Sequence, residues 1–248
     1  MPAIVIIPAR YSSTRFPGKP LCPLKDRPII QHVYERAAAA KRADAVYVAT
    51  DNKMIFNAVH GFGGRAVMTS EHHQSGTDRI AEALLKIEET ESLKPDRVVN
   101  VQGDEPLIRP EMIDDVISLL DDPEADIGTL ARKINSPDEI NNPNVVKTVF
   151  GTDGFALYFS RTALPYYREE HTARIYYKHI GIYSYRRDVL MKFSKMPASP
   201  LEEAEKLEQL RALENSFKIK IKETEFETVG VDTPEDLERA ERCLNTYS

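Results

Sequence analysis

The sequence predicts an α/β protein with a largely parallel, doubly wound sheet. Short β-rich apolar runs recur at Ala3–Ile7, Val46–Ala49 and Arg97–Val101. Continuous runs of this kind are typical of strands that are covered on both faces. Helical patterns lie between the runs, and strands that alternate with helices are typical of a parallel sheet. The length of 248 residues fits one such domain, which we place over residues 1–248.

The helices between these strands are predicted from apolar residues at helical spacing. Pro28 opens the first helix at the position where its missing N–H costs nothing. The second helix follows Gly76, and the third follows the strand that ends at Val101. Their apolar faces are formed by Ile29, Ile30, Val33, Tyr34 and Ala37, by Ile80, Leu84 and Ile87, and by Met112, Ile113, Val116, Ile117 and Leu120.

The middle of the chain, at about residues 133–195, is predicted to be a β-rich subdomain. Strands at Val145–Phe150 and Phe155–Ser160 flank a glycine-containing turn, which predicts a hairpin. A further β segment is expected at Ile175–Tyr185, followed by a helix over Leu201–Glu214. Lys218–Lys222 alternates lysine and isoleucine, as a half-exposed strand does.

The composition excludes several classes of protein. The formal net charge is −6, so the chain lacks the broad basic field that nucleic-acid binding requires. No apolar stretch approaches the roughly twenty residues that span a bilayer. The first apolar run is too short for a signal peptide. The two cysteines lie far apart in sequence, which argues against a zinc ribbon or disulfide scaffold. We expect a cytoplasmic protein without membrane or nucleic-acid partners.

The loop after the first strand, Pro8–Pro20, is a candidate phosphate site. Its cations are Arg10, Arg15 and Lys19, and it also carries hydroxyl groups and a glycine. It is not a Walker A loop, because Lys19 is followed by proline rather than serine or threonine. A cradle for a triphosphate and a solvated basic loop are both consistent with this composition.

Two aspartates are candidate metal ligands. Asp104 follows a predicted strand end, where a carboxylate can hold a hard cation against phosphate oxygens or can simply terminate the strand. Asp232 precedes a helix start in which Thr233 is the cap and Asp236 completes the first turn, so the cap does not need Asp232. Adjacent strand ends can bring these two distant acids together.

Histidines and a charged helix face give weaker indications. His72 and His73 lack the helical spacing of a zinc pair and are expected on the surface. His179 lies in a β segment and fits an ordinary buried histidine. Arg211 falls on an apolar helix face, where it either pairs with Glu208 at i,i+3 or borders a polar sugar site.

Taken together, these segments resemble the CMP-Kdo synthetases (3-deoxy-manno-octulosonate cytidylyltransferases). The matching stretches span nearly the whole chain in the order of the family: IPARYSSTRFPGKPL, VATDN, HQSGTDRIAE, NVQGDEP, NPNVVK, ALYFSR, KHIGIYSYR, LEQLRALE and GVDTPEDLE. The resemblance implies a Rossmann-like nucleotidyltransferase sandwich of three layers, with a β-rich element for homodimerisation. It implies that CTP activates the acid sugar Kdo for lipopolysaccharide biosynthesis, with Mg²⁺ as cofactor.

The resemblance also implies roles for individual residues. Arg10 and Lys19 would hold the CTP phosphates, and Asp104 and Asp232 would bind magnesium; these four residues form the expected catalytic set. The remaining nucleotide contacts would come from Ala9, Ser75, Gly76 and Arg79. The residues around Kdo would be Gln102, Arg161, His179, Tyr183, Glu208 and Gln209, with Arg161 facing the Kdo carboxylate.

Alternative functions remain open at the level of the residues. Sugar-1-phosphate nucleotidyltransferases carry a glycine-rich G-x-G-T-R loop after the first strand, where this chain has Ala9-Arg10-Tyr11-Ser12-Ser13. CMP-sialate synthetases share the acid-sugar chemistry and differ mainly after the Ala-Arg pair. A catalytically silent nucleotide-binding regulator is a rival from another class. Without the resemblance, the residues indicate a metal-dependent α/β enzyme that handles phosphate.

Overall fold

The computed structural model describes residues 1–12, 16–73, 75–91, 93–169 and 174–246. Arg15 of the predicted phosphate loop and Gln74 of the HQSGT motif lie outside the described residues. The chain divides into two compact units. The first contains residues 1–114 and 228–248, and the second contains residues 115–227. The prediction of a single domain over residues 1–248, with its β-rich region, stays a prediction.

The first unit is built on parallel strands with helices between them. Its elements in chain order are β1 (Ala3–Ala9), β2 (Pro23–Leu24), β3 (Arg27–Pro28), α1 (Ile29–Ala38), β4 (Ala45–Thr50), α2 (Lys53–Gly61), β5 (Ala66–Met68), α3 (Gly76–Glu91), β6 (Arg97–Asn100) and α4 (Pro110–Leu119). The strands β6, β1, β4 and β5 lie side by side in that order, all parallel. The predicted parallel sheet is therefore confirmed.

The core of this unit follows from its apolar runs. Ile4–Ile7 of β1 have no solvent exposure, and Val98 and Val99 of β6 are equally buried. Burial of aliphatic side chains on both faces stabilises the sheet by about 1.5–3 kcal/mol for each residue. Two details differ from the prediction. β1 continues to Ala9, and Pro28 is the N-cap of α1 rather than its first residue, because it still pairs with Pro23 in a short hairpin.

The second unit is a mixed, mainly antiparallel α/β structure. Its elements are β7 (Ile127–Lys133), α5 (Pro137–Asn141), β8 (Lys147–Phe150), β9 (Ala156–Ser160), β10 (Tyr177–Arg186), α6 (Arg187–Phe193), α7 (Pro200–Glu205), α8 (Glu208–Glu214) and β11 (Ile219–Glu223). β10 runs antiparallel to β7 and β8, whereas β11 runs parallel to β7. The predicted hairpin is confirmed as β8–β9, and its turn places Gly154 at a φ of +80°.

The predicted helix over Leu201–Glu214 is wrong in one respect, because it is two helices. Lys206 ends α7 in the left-handed region, with φ 52° and ψ 47°, and Leu207 is extended before α8 begins. Apolar spacing runs through this break, so the sequence pattern does not show it. The Arg161 guanidinium accounts for part of it, since it binds the carbonyl oxygens of Glu205 and Lys206 at 2.6 and 3.4 Å.

The chain returns to the first unit with α9 (Pro234–Thr246). Thr233 Oγ1 accepts from the Asp236 N–H at 3.3 Å, and Asp236 Oδ2 accepts from the Thr233 N–H at 3.0 Å. The predicted cap is confirmed, and the Asp232 N–H also donates to Asp236 Oδ2, at 3.1 Å, so the side chain of Asp232 is not what caps the helix. Across the described stretches, no helix combines the length and the apolar character that a membrane crossing requires.

Candidate active site

A cavity of about 360 Å³ opens beyond the carboxyl ends of β1 and β6. Ligands of open α/β sheets bind at this edge. All of the nucleotide and metal residues expected from the sequence, together with Gln102, contribute to its wall. The lining residues are Pro8, Ala9, Arg10, Lys19, Pro20, His73, Ser75, Gly76, Arg79, Gln102, Gly103, Asp104 and Asp232.

The charged centre of the cavity is Lys19 held between two aspartates. Its Nζ donates to Asp104 Oδ2 at 2.6 Å and to Asp232 Oδ1 at 3.0 Å. Burial alone would lower the pKa of Lys19, but attraction to Asp104 and then Asp232 outweighs it and raises that pKa. The lysine is therefore charged at neutral pH. The expectation that the two acids meet at one sheet edge is confirmed, while their role as metal ligands stays a prediction.

Local backbone geometry places these three side chains. Gly18 has a φ of +72° and starts the short 3₁₀ turn that aims Lys19 into the cavity. A Cβ on Gly103 would come within 2.8 Å of the Pro8 carbonyl oxygen, so glycine lets the turn after β6 approach the end of β1. The Val231 N–H donates to the Asp104 carbonyl at 2.9 Å, which fixes Asp232 beside Asp104.

The donor set fits a hard divalent cation. Mg²⁺ in enzymes is commonly bound by one or two carboxylates together with substrate phosphates and water. Two carboxylates converge here, with 34% and 49% of their side chains exposed towards solvent. Elsewhere in the described part of the chain, no group of three or more histidine, cysteine or acidic side chains could hold a metal. Any magnesium would therefore take its remaining ligands from phosphate and water.

Glu105 lies beside the first aspartate but behaves differently. Burial, and to a lesser extent the charge of Asp104, raise the pKa of Glu105 to about 8. This carboxyl group is therefore mainly protonated at neutral pH. The negative charge that faces Lys19 thus comes from Asp104 and Asp232 alone in this part of the cavity.

Arg79 lines the opposite wall but is committed to the protein. Its Nη2 donates to Asp51 Oδ2 at 2.7 Å, and its Nη1 donates to Thr69 Oγ1 at 2.6 Å and to the Ser70 carbonyl at 3.3 Å. Only 4% of the residue is exposed. The arginine reaches the cavity as predicted, and its contacts rigidify the start of α3.

The structure corrects the sequence reading of His73. His72 is exposed as expected, with 87% of its side chain accessible, but only 20% of the His73 side chain is accessible and it lines the cavity. The physical reason is tertiary: His73 Nε2 is hydrogen-bonded to the carboxylate of Glu82 on α3. The signal in the sequence is the position of His73 two residues before the predicted helix start at Ser75-Gly76.

The other residues expected around the sugar lie in the second unit. The rings of His179 and Tyr183 are in contact in a tilted arrangement, with their centroids 5.3 Å apart and an interplanar angle of 48°. Burial lowers the pKa of His179 to about 3, and burial, Tyr185 and Glu208 raise the pKa of Tyr183. Glu208 accepts from Arg211 at 2.9 Å, which confirms the predicted i,i+3 pair, and Gln209 is 8% exposed on α8.

Arg161 is the remaining predicted sugar contact, and the structure ties it to the backbone. Its Nε and Nη1 donate to the carbonyl oxygens of Glu205 and Pro143 at 2.6 and 2.9 Å. Its own carbonyl accepts from Lys147 Nζ at 2.5 Å. Sequence reasoning missed Lys147, which is fully buried and also donates to the carbonyls of Asn142 and Val145 at 2.9 and 2.6 Å.

A parallel sheet with a lysine and two aspartates at its carboxyl edge fits the class of α/β nucleotidyltransferases. Known proteins with similar sequences belong to the same class. A 3-deoxy-manno-octulosonate cytidylyltransferase of Thermodesulfovibrio yellowstonii is 56% identical, with 100% of both chains covered. One of Geobacter sulfurreducens is 51% identical, covering 94% of this chain and 96% of the relative. A family model described as "Cytidylyltransferase" matches residues 4–221, and the chain belongs to that family.

Solved structures extend the comparison to three dimensions. A CMP:2-keto-3-deoxy-manno-octonic acid synthetase complexed with CTP superposes with a TM-score of 0.93, at 44% identity and with 100% of both chains covered. A cytidylyltransferase from Leptospira borgpetersenii has a TM-score of 0.64 at 20% identity, with 99% of this chain and 87% of that chain covered. The second likeness shows the fold alone. The expected Rossmann-like nucleotidyltransferase fold is confirmed.

Proposed function

We propose that this protein couples CTP to Kdo (3-deoxy-D-manno-octulosonate) to give CMP-Kdo and pyrophosphate. The observation that carries the proposal is the convergence of Asp104 and Asp232 on Lys19 inside the cavity at the sheet edge. The names of the relatives support the same reaction, and one similar structure is a complex with CTP.

The proposed reaction is an in-line displacement at phosphorus. The anomeric hydroxyl oxygen of Kdo forms a bond to the α-phosphorus of CTP, while the bond from that phosphorus to the bridging oxygen of the β-phosphate breaks. The hydroxyl loses its proton to water, and pyrophosphate leaves with the electron pair of the broken bond. The main obstacle is electrostatic, because an anionic sugar approaches an anionic triphosphate.

The residues of the cavity address this obstacle. Lys19 is charged and nearly buried, so its attraction for phosphate is weakly screened. Arg10 adds a second, exposed cation on the same wall. Asp104 and Asp232 would hold magnesium, which when bound screens phosphate charge and lowers the pKa of the attacking hydroxyl.

Gln102 lines the cavity of the first unit, and the other contacts proposed for the sugar fall on the second unit. Arg161 is held rigidly, yet its two terminal nitrogens each carry a further N–H that can bind a carboxylate. His179, kept neutral by burial, and Tyr183 offer hydrogen bonds without adding charge. Glu208 and Gln209 add polar groups at the start of α8.

The setting of the reaction is also proposed. Both cysteines are free, which suits a reducing cytoplasm, and the product would serve lipopolysaccharide biosynthesis. A homodimer is proposed through the β8–β9 hairpin, where Leu157 is 66% exposed. The net charge of −6 supports the expectation that nucleic acid is not a partner.

One assay tests the proposal. Pyrophosphate release is measured with CTP and Mg²⁺ in the presence of Kdo, sialic acid or a sugar 1-phosphate. Of the three sugars, we expect only Kdo to support the release of pyrophosphate. Release with sialic acid or a sugar 1-phosphate instead would assign the chain to one of those enzymes. CTP binding without release for any sugar would indicate a nucleotide-binding regulator.

A further inference from the structure

His73 and Glu82 form a pair in the cavity wall that the proposed reaction does not use. His73 lies just before α3, and Glu82 lies on the second turn of that helix. Their side chains are 20% and 26% exposed, so both are largely shielded from solvent. Of the two residues, His73 contributes to the cavity lining.

Glu82 is fixed by contacts of its own. Its Oε2 accepts from the Ser70 N–H at 2.9 Å, and its Oε1 accepts from Lys86 Nζ at 2.8 Å. Lys86 in turn donates to the Met68 carbonyl at 2.8 Å. Burial would raise the pKa of Glu82, but hydrogen bonds from Lys86, Ser70 and His73 outweigh it and lower it to about 2. The carboxylate is ionised and only accepts hydrogen bonds.

This arrangement determines the tautomer of His73. Because a carboxylate only accepts, the hydrogen lies on Nε2, which faces Glu82, whenever the ring is neutral. Nδ1 is then left with a lone pair and acts as an acceptor. An acceptor in a ligand cavity pairs only with a donor on the ligand.

We propose that His73 recognises the cytosine base, with Nδ1 accepting a hydrogen bond from the 4-amino group, and thereby selects CTP over UTP. The inference rests on the proposed use of CTP. Cytosine presents an amino donor at position 4, whereas the corresponding atom in uracil-type bases is a carbonyl acceptor. An acceptor at Nδ1 attracts the first and repels the second.

The charges of the surrounding wall favour the base over a phosphate as the partner of His73. Phosphate oxygens at neutral pH offer few hydrogens for an acceptor. Two carboxylates, Glu82 and Asp51, contact residues of this wall, and each is paired with a cation, Lys86 and Arg79 respectively. The cations assigned to the phosphates, Lys19 and Arg10, belong to the loop after β1.

The test is calorimetric binding of CTP and UTP, each with Mg²⁺, to the wild type and to variants. For the wild type we expect CTP to bind at least about tenfold more tightly than UTP. His73→Ala should weaken the binding of CTP about 10- to 100-fold, because the hydrogen bond to its amino group is lost. The binding of UTP should be unchanged or tighter, because the acceptor that repels its carbonyl oxygen is removed. His72→Ala is the matched control, and it should keep both affinities.

Glu82→Gln tests the positioning of the ring. It retains the imidazole but removes the ionised acceptor that fixes its tautomer, so the CTP-to-UTP ratio should fall between those of the wild type and His73→Ala. Equal losses for both nucleotides in His73→Ala would overturn the proposal and assign the residue to phosphate binding or packing. An unchanged ratio in Glu82→Gln would overturn the tautomer argument.

The outcome separates this inference from the proposed function. Selective CTP binding that depends on His73, without pyrophosphate release in the presence of Kdo, would refute the function and keep the inference. If the His73→Ala variant releases pyrophosphate with Kdo and keeps the wild-type ratio of CTP affinity to UTP affinity, the function is supported and the inference is refuted. Circular dichroism of each variant confirms that the fold is retained.

Discussion

Each of the two units holds a buried lysine, and the two lysines differ in their partners and in the direction in which their pKa is shifted. Lys19 in the first unit faces two carboxylates in a cavity, and its pKa is raised. Lys147 in the second unit is fully buried among three backbone carbonyls, and burial lowers its pKa. The same side chain therefore serves two different purposes.

The partners explain this difference. Carboxylates are charged groups that can exchange one cation for another, so the Lys19 centre can reorganise when phosphate and metal enter the cavity. Carbonyl oxygens are neutral and fixed in the backbone, so the Lys147 centre joins the segment around Asn142 and Val145 to Arg161 and does not exchange. We infer that the first centre serves chemistry and the second serves architecture.

The largest expected effect is at the first centre. Asp104→Asn and Asp232→Asn should each lower turnover by about 100- to 1,000-fold, because each removes an ionised ligand from the proposed magnesium site. Pyrophosphate release measures this, and thermal unfolding should show a retained fold. Asp115→Asn, which removes an exposed ion pair with Lys222, is the control. Near-normal turnover in either site variant would refute its metal role.

At the second centre the expected loss is of stability rather than chemistry. Lys147→Met should lower the free energy of unfolding by about 2–3 kcal/mol, because buried carbonyl oxygens lose their donor. Urea denaturation measures the change. The control is Lys222→Met, which removes a half-exposed ion pair and should have the same free energy of unfolding as the wild type. If Lys147→Met unfolds like the wild type, the architectural role assigned to this lysine is wrong.

The pH dependence of stability sharpens the contrast further. His179 has a folded pKa of about 3 against an ordinary value of 6.5, so below pH 6.5 the unfolded state binds more protons. Stability should therefore fall as the pH drops from 6.5 towards 3, by at most about 1.4 kcal/mol for each pH unit.

Urea titrations at several pH values measure this slope. His179→Gln should flatten it, whereas His72→Gln, at an exposed site, should retain it. A wild-type slope in the His179 variant would mean that another group controls the acid sensitivity.

The smallest expected effect is on the KM for Kdo, and it tests whether the second unit binds the sugar while the first binds CTP. Tyr183→Phe removes one hydroxyl group from the proposed sugar contacts and should raise the KM for Kdo about 5- to 10-fold without changing the affinity for CTP. Steady-state kinetics in which the Kdo and CTP concentrations are varied in turn measure the two effects. Tyr177→Phe, on the same strand with an exposed hydroxyl near Glu223, is the control. A parallel loss of CTP affinity would contradict the division of roles.

The parts that the sequence predicts well are those governed by local rules. The apolar runs of β1, β4 and β6 predict buried parallel strands, and Thr233 with Asp236 predicts the start of α9. Asp104 follows the end of β6, as the rule for parallel sheets predicts. Asp232, by contrast, lies in an irregular segment after β11 and is held beside Asp104 by the distant contact of the Val231 N–H with the Asp104 carbonyl.

The features that sequence reasoning missed depend on tertiary partners. His73 is drawn into the cavity wall by Glu82, and a pair of adjacent histidines gives no sign of this. Lys147 is buried by carbonyl oxygens of other segments, whereas lysine in a strand usually predicts a solvated position. The break at Lys206 is a backbone conformation that leaves the apolar spacing intact.

The partnership of Lys19 and Asp232 spans 213 residues of sequence. During synthesis, Asp232 leaves the ribosome 213 residues after Lys19, and only then can it take its place beside the Asp104 carbonyl. A nascent chain that has not yet reached Asp232 therefore carries an incomplete charge centre.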